Sequence, residues 1–291
     1  MAINYAEKYS AKVDEAFALE SKTNGAINND YDFTGVNTVN VYSIPTKALN
    51  DYNISATGSR YGTPEELGDE VQTLVLTKDR SFTFVIDKKN QDDTMGVKAA
   101  GTALARQIRE QVIPEVDIYT ISKIVEGAGQ TSYEETITKA NAYELFLKGQ
   151  EALGDAKVPM SGRIAFVSYA LYNFLKLDPA FVKQGDAAQN IVINGQVGTV
   201  DGVAIVPVPK SYFPEGVNFV MTHAMAVVRP IKLEDYKIHD NPPGISGQLV
   251  EGRIRYDAFV LNNKKNAIYV STTADEPEVS PDEPEVPGEG E

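Results

Sequence analysis

The stretch DEVQTLVLTKDRSFTFVIDKKNQDDTMG, Asp69–Gly96, sets an extended segment directly against the start of a long helix. Apolar and polar residues alternate from Val71 to Asp87, the period of a strand with one face toward a core. A charged knot of Lys78, Asp79 and Arg80 interrupts the run before Phe82, Phe84 and Ile86 resume it. The letters alone allow either one long returning strand or a short hairpin turning at Lys78–Arg80. From Met95 to about Val125 the period becomes helical. Val97, Leu104, Ile108 and Val112 form one stripe, and Val116, Ile121 and Val125 continue it with a small rotation. At 1.5 Å per residue such a helix is roughly 45 Å long. Pro114 has no amide hydrogen and its ring crowds the preceding turn, so a kink or a split is predicted there. Gly127 and Gly129 supply C-cap residues beyond the end.

Upstream, Ile3, Ala6, Tyr9, Val13, Ala16 and Phe17 recur at helical steps over residues 3–20. A turn-rich segment follows, then β alternation from Val36 to Ile44 ahead of Pro45, then an exposed loop over 53–69 punctuated by glycine and proline. Downstream, NAYELFLKGQEAL (141–153) and ALYNFLKL (170–177) read as helices, with RIAFVSY (163–169) as a strand between them. NIVINGQVGTVDGVAIVPVP (190–209) reads as β with tight turns at Asn194-Gly195 and Asp201-Gly202. NFVMTHAMAVV (218–228), IKLEDYKIH (231–239), LVEGRIRYDAFVL (249–261) and AIYV (267–270) complete a strand-rich second half. Helical and strand patterns are both present, and the fold class is expected to be α+β.

Of the 291 residues 42% are hydrophobic, enough for a substantial core and a length that suits about two domains. Cysteine is absent, which excludes disulfides, thiolate metal sites and cysteine nucleophiles. No apolar run approaches the roughly 18 residues that span a bilayer, and the N-terminal stretch lacks the apolar core of a secretory signal. A cytoplasmic birthplace is therefore expected. The net charge is −14, but Asp275–Glu291 alone carries eight acids and no base, so removing that −8 leaves −6 for the rest. An acidic body suits no sequence-specific DNA reader, whose affinity comes from neutralising phosphates. The terminal segment repeats DEPEV at 275–279 and 282–286 and reads as a disordered acidic tail over 273–291. Deleting Thr272–Glu291 is expected to leave the fold intact.

Chemistry is sparse. There are two histidines, His223 in an apolar strand and His239 beside Asp240. Neighbours on a strand point apart, so His239 and Asp240 do not spell a dyad. Glu65-Glu66, Asp92-Asp93 and Glu134-Glu135 are adjacent carboxylates in polar surroundings, the mark of a solvated surface. Asn53-Ile54-Ser55 is a glycosylation sequon without a secretory context. No zincin, nucleophile-elbow or P-loop motif is present, GAGQTS at 127–132 follows a helix where a dinucleotide loop would follow a strand, and no catalytic residue, cofactor or metal site is assigned.

Several longer strings carry a resemblance: INYAEKYSAKVDEAF (3–17), VNVYSIPTKALNDYN (39–53), RYGTPEELGDEVQTLVLTKDRSFTFVIDK (60–88), LARQIREQVIPEVDIYTISKI (104–124), GRIAFVS (162–168) and GRIRYDAFVLNNKKNAIYVS (252–271). In order and wording the chain resembles the major capsid proteins of tailed bacteriophages with the Hong Kong 97-like fold, of the kind found in phages and prophages of Gram-positive bacteria. The resemblance covers about residues 1–272. It implies an N-terminal arm (1–45), an extended β-loop (46–87), a peripheral domain of spine helix and strands (88–127 and 230–272), and an axial domain (128–229).

What the resemblance implies for function is a non-enzymatic coat protein. It would self-assemble into pentamers and hexamers and form the icosahedral shell around a double-stranded DNA genome. Its place would be the virion capsid, assembled in the bacterial host cytoplasm and away from membranes. Its partners would be other copies of itself, a portal protein, an optional decoration protein and, by non-specific contact, the packaged DNA. About 20 helical residues are too few for a built-in scaffold, so a separate scaffolding protein is expected. Arg60, Glu65, Glu66, Asp69, Lys78 and Arg80 are the candidate inter-subunit contacts, charges suited to setting register. Some relatives cross-link this loop through a lysine; Lys78, Lys88 and Lys89 lie near, but no matching partner is identifiable. The competing readings are an encapsulin-like nanocompartment around a cargo enzyme and, more remotely, a small-molecule enzyme using His223 or His239.

Overall fold

The computed structural model describes residues 21–28, 38–43, 47–55, 58–63, 66–68, 70–89, 100–134, 136–177, 198–200 and 202–273. The helix read over 3–20, the turn at Asn194-Gly195 and the acidic tail lie outside the described residues.

The largest element is a mixed six-stranded sheet of β4 (Gln130–Tyr133), β5 (Arg163–Ser168), β6 (Gly198–Val200), β7 (Val203–Val208), β8 (Val217–His223) and β13 (Ile268–Thr272), in the order β4-β13-β8-β5-β7-β6. β5 lies inside it, parallel to β7 and antiparallel to β8. Its unbroken apolar run Ile164–Val167 is what a strand buried on both faces requires. Ala165 and Val167 face helices α3 (Ala142–Asp155) and α4 (Tyr169–Lys176) through Phe146, Leu153 and Leu175. Ile164 and Phe166 face the other way, into a cluster with Ile121, Ile124 and Val220. Ser168 caps α4 by accepting from the Leu171 amide. β8 ends where the His223 ring accepts from the Met225 amide, so NFVMTHAMAVV is not one strand: a 3-10 turn at Ala224–Ala226 separates β8 from β9 (Val227–Val228).

The second body is a three-stranded antiparallel sheet, β10 (Ile231–Asp240), β11 (Gly247–Tyr256) and β3 (Lys78–Asp87), laid on the long helix. Phe82, Phe84 and Ile86 line its inner face with Val250, Ile254, Tyr256 and Tyr236, against Leu104, Ile108, Val112 and Val116. Gly252 stands between the rings of Phe82 and Tyr236, where any Cβ would collide with both.

Among the described residues the helix runs from Ala100 to Glu126 as α1 (Ala100–Gln107), a π-turn (Ile108–Val112) and α2 (Ile113–Glu126). Pro114 neither splits it nor stands in an ordinary turn. The Ile113 amide reaches back five residues to the Ile108 carbonyl, and Pro114 falls in the first turn of α2, where its missing donor is harmless. The wider turn also absorbs the four-residue spacing of Leu104, Ile108 and Val112.

The opening stretch is neither one strand nor a hairpin at Lys78–Arg80. β2 (Glu70–Val75) pairs antiparallel with β1 (Thr38–Ser43) as a separate two-stranded ribbon, and only from Lys78 does the chain enter the sheet with β11. Of the segment 46–87 expected as the extended loop, Lys78–Asp87 thus lies in the sheet with β11, while Glu70–Val75 pairs with Thr38–Ser43. Leu74 and Leu76 stay in phase with Phe82 and Ile86, so side-chain alternation runs through the break without a slip. A short pair, β9 with β12 (Phe259–Val260), underlies the ribbon.

Candidate functional site

The ribbon has two unlike faces. Val39, Val41 and Leu74 face the body and join Leu76, Val228, Leu261 and Phe259 in a small cluster. The opposite face presents Tyr42, Val71 and Val75, which are 70%, 52% and 44% exposed. Beyond the strands, Leu49, Ile54 and Tyr61 are also largely solvent-exposed. On that face of the ribbon the polar pair Asn40 and Thr73, hydrogen-bonded at 3.0 Å, stands between Tyr42 with Val71 and Val75. Its far part is locally ordered: the Asn53 amide donates to the Arg60 carbonyl at 3.1 Å, and Tyr52 meets Tyr61 edge-on at 5.1 Å. The Asn53 carboxamide oxygen accepts from the Ser55 amide, a local turn that accounts for the sequon letters.

Of the charges singled out in the sequence, Arg60 and Glu66 are exposed on this loop, while Glu65 and Asp69 lie outside the described residues. Lys78 and Arg80 belong to β3 and engage their own chain. Lys78 Nζ sits 5.0 Å from the centre of the Tyr119 ring. Arg80 Nε donates to Glu115 Oε1 at 2.8 Å, and Tyr256 donates to the same oxygen at 3.0 Å. Burial, then that bond to Glu115, pushes the Tyr256 hydroxyl far up in pKa. Of the four described charges, Lys78 and Arg80 therefore lie on β3, and Arg60 and Glu66 lie on the loop. The sequence reading passed over the exposed Tyr42, Val71 and Val75 on the ribbon.

The ribbon is fastened at its base. Asp257, 3% exposed, takes four donors: the Thr77 amide (2.8 Å) and hydroxyl (2.7 Å) on Oδ2, and Tyr119 Oη (2.9 Å) with the Ala258 amide (2.8 Å) on Oδ1. Burial, followed by donation to Asp257, pushes the Tyr119 hydroxyl up to about 12. Gln72 adds a second fastening: Nε2 donates to the Val260 carbonyl at 3.0 Å and Oε1 accepts from the Asn262 amide at 2.9 Å. An open hollow of about 400 Å³ lies above these groups, with Lys123 and Lys265 at its rim.

A third constellation sits deeper. Asp117, on the buried side of α2, faces Arg229 with Nη1 to Oδ1 at 3.3 Å, and both are almost fully buried. Ser21 Oγ (2.6 Å) and Thr23 Oγ1 (2.7 Å) donate to Oδ1, and the Lys22 amide (2.8 Å) donates to Oδ2. Arg229 in turn donates to Ser21, Thr23 and Asn24. Burial lowers the Arg229 pKa, with Asp117 opposing that shift. Residues 21–28 are thereby welded between α2 and the β9–β10 connection, with Ala26 and Ile27 in the core. An aspartate on a helical stripe with Ile113, Ile121 and Ile124, and an arginine inside the apolar run VVRPI, were the available signals.

Both histidines are engaged by groups of their own chain. His223 Nδ1 accepts from the Met225 amide, so its Nε2–H donates to the Ser161 carbonyl at 2.8 Å and the ring is fully used. His239 turns to Glu251 at 3.2 Å, while Asp240 turns to Gln248. Among the described residues no cluster of three or more His, Asp or Glu side chains could hold a metal ion.

A six-stranded mixed sheet on one side of a long helix, a three-stranded sheet on the other and a projecting β-ribbon define a recognisable architecture. A chain from Mycobacterium phage Che8 superposes with TM-score 0.64 at 17% identity, over 87% of this chain and 91% of that one. The mature capsid of bacteriophage PhiM1 gives 0.59 at 14% identity over 82% of each chain. This is the Hong Kong 97-like capsid fold. A virus-like particle from Pyrococcus furiosus shares it, with TM-score 0.58 at 10% identity over 92% of this chain and all of that one. No family model and no curated protein matches the sequence.

Proposed function

We propose that the chain is the major capsid protein of a tailed bacteriophage, a structural protein whose copies join as pentamers and hexamers into a closed shell around double-stranded DNA. The observation that carries this reading is the ribbon's exposed apolar face on a fold shared with phage capsids. A monomer gains nothing from it, since an uncovered ribbon invites aggregation, whereas a shell gives every copy a neighbour to cover it. Individual contacts can then be weak, because closure multiplies them. We place the arm at 1–45 apart from the strand Thr38–Ser43, the axial domain at 128–229 and the peripheral domain at 88–127 and 230–272 together with β3. The arm, a separate scaffolding protein, a portal and a decoration protein belong to the same proposal.

The likeness to a virus-like particle favours a second reading, a shell that encloses a cargo enzyme instead of a genome. Expression of the chain alone and with its scaffolding partner, followed by negative-stain microscopy, tests both. Shells that form and associate with a portal support the capsid reading, and shells that co-purify with an enzyme support the compartment. Replacing residues 56–68 by a short Gly-Ser turn should leave the melting curve unchanged and stop shell formation. Normal shells from that variant would remove the loop from the mechanism.

A further inference from the structure

β2 and β3 are consecutive in the chain and separated by Leu76 and Thr77 alone, yet they belong to different sheets. β3 is held along its whole length by β11, so it cannot move without the body. The ribbon rests on the body through one small apolar cluster and through the side chains of Asp257 and Gln72. The apolar cluster is non-directional and tolerates sliding. The two polar fastenings do not, because each imposes hydrogen-bond geometry on a specific backbone group.

Asp257 is built for this task. Its carboxylate takes the Thr77 amide, one of the two backbone donors between the strands. It also takes the Thr77 hydroxyl, so the bend is held by two bonds to one oxygen. Tyr119 Oη and the Ala258 amide hold the other oxygen and prevent the carboxylate from rotating. Gln72, five residues away, uses its amide as a peptide group would, bridging the Val260 carbonyl and the Asn262 amide. One fastening fixes the pivot and the other fixes the direction.

We propose that Asp257 and Gln72 are positioning residues that fix the angle at which the ribbon leaves the subunit, and that this angle selects where on a neighbouring copy the apolar face lands. The second half rests on the shell reading; the first does not. A swing of about 10° at Thr77 displaces Glu70, about 23 Å away at 3.3 Å per residue, by about 4 Å. That is close to the separation of adjacent strands, enough to shift a contact by one row.

The chain has no cysteine, so Val71→Cys and Met160→Cys introduce a unique pair of spin-label sites on ribbon and body. Pulsed electron paramagnetic resonance on dilute, unassembled subunits then reads the ribbon angle, and circular dichroism reads the fold. The parent should give one narrow distance. Asp257→Asn, which turns a donor toward the Thr77 amide, and Gln72→Ala should each broaden or displace it by about 4 Å or more while keeping the parental spectrum. Thr77→Ser, which keeps both donors, should retain the narrow distance. In assembly, the first two variants should give shells of several diameters where the parent gives one. Unchanged distances in both variants would overturn the proposal, as would loss of fold in Gln72→Ala, which would make the contact a fold determinant. Shifted distances in the two variants, with a parent that forms no shell, would sink the shell reading and leave the joint standing.

Discussion

Replacing Asp117 by alanine should be the most damaging polar-to-apolar change in the described chain. The substitution leaves the Arg229 guanidinium, whose side chain is 4% exposed, without its counter-charge. Breaking a buried pair from one side costs about 3–5 kcal/mol, because the remaining charge stays desolvated. The same change strips an acceptor from the Ser21 and Thr23 hydroxyls and from the Lys22 amide, each bond contributing about 1 kcal/mol. Against a typical stability of about 5–15 kcal/mol, this is a large fraction of the whole. At about 2–4 °C per kcal/mol for a chain of this size class, the loss of the ion pair alone should lower the melting temperature by about 6–20 °C, and the stripped hydrogen bonds add to it. Thermal melts followed by circular dichroism measure it, with limited proteolysis reporting whether the segment 21–28 has come loose. The double variant Asp117→Leu with Arg229→Met removes both charges and should recover much of the loss. An Asp117→Ala chain melting within about 2 °C of the parent would refute the reasoning, since the network would then be decoration on a fold held by its apolar contacts.

Leu104→Asp should abolish soluble expression, because Leu104 is 2% exposed between the spine and the three-stranded sheet and an unpaired buried carboxylate costs several kcal/mol; soluble protein in the supernatant would show that the face is misplaced. Tyr119 titrates at about 12 instead of its ordinary 10.0, so the fold favours its protonated form. That contribution is complete below pH 10 and lost as pH rises from about 10 to about 12, so Tyr119→Phe should flatten the alkaline fall of the urea midpoint over that window. Truncation after Thr273 should leave the melting curve unchanged. Cutting before Thr272, as the sequence suggested, should lower it, because Thr272 is buried in β13 and its hydroxyl, like the Thr273 amide, donates to the Gly216 carbonyl.

Much of the frame was legible in the letters, and the misses have physical causes. The spine could be read from Leu104, Ile108 and Val112, and the buried strand from RIAFVS, because one-dimensional period reports burial directly. The break at Leu76–Thr77 could not be read, since Leu74, Leu76 and Phe82 remain in phase and the departure is imposed by Asp257, 180 positions downstream. The interruption after His223 was hidden for the same reason: a ring nitrogen captures the Met225 amide inside a largely apolar run. For the candidate site, charge drew attention to Arg60, Glu66 and Arg80, while the exposed Tyr42, Val71 and Val75 looked like ordinary strand residues. Which face of a ribbon is covered depends on what lies beneath it, and the residues beneath this one, Val228 and Leu261, are far away in sequence.

The π-turn at Ile108–Val112 makes one stretch of the spine a splice point for changes in length. Elsewhere along a regular helix, losing one residue rotates everything upstream by about 100°, turning Leu104 away from the sheet it packs on. A π-turn is an α-turn with one residue in surplus, so a deletion between Ile108 and Val112 could close to a regular turn with both flanking faces still in register. Pro114 would then crowd the carbonyl four residues before it, and a bend would replace the lost residue. Related chains that differ by a single residue in this helix should carry the difference here, matched by the presence or absence of the proline.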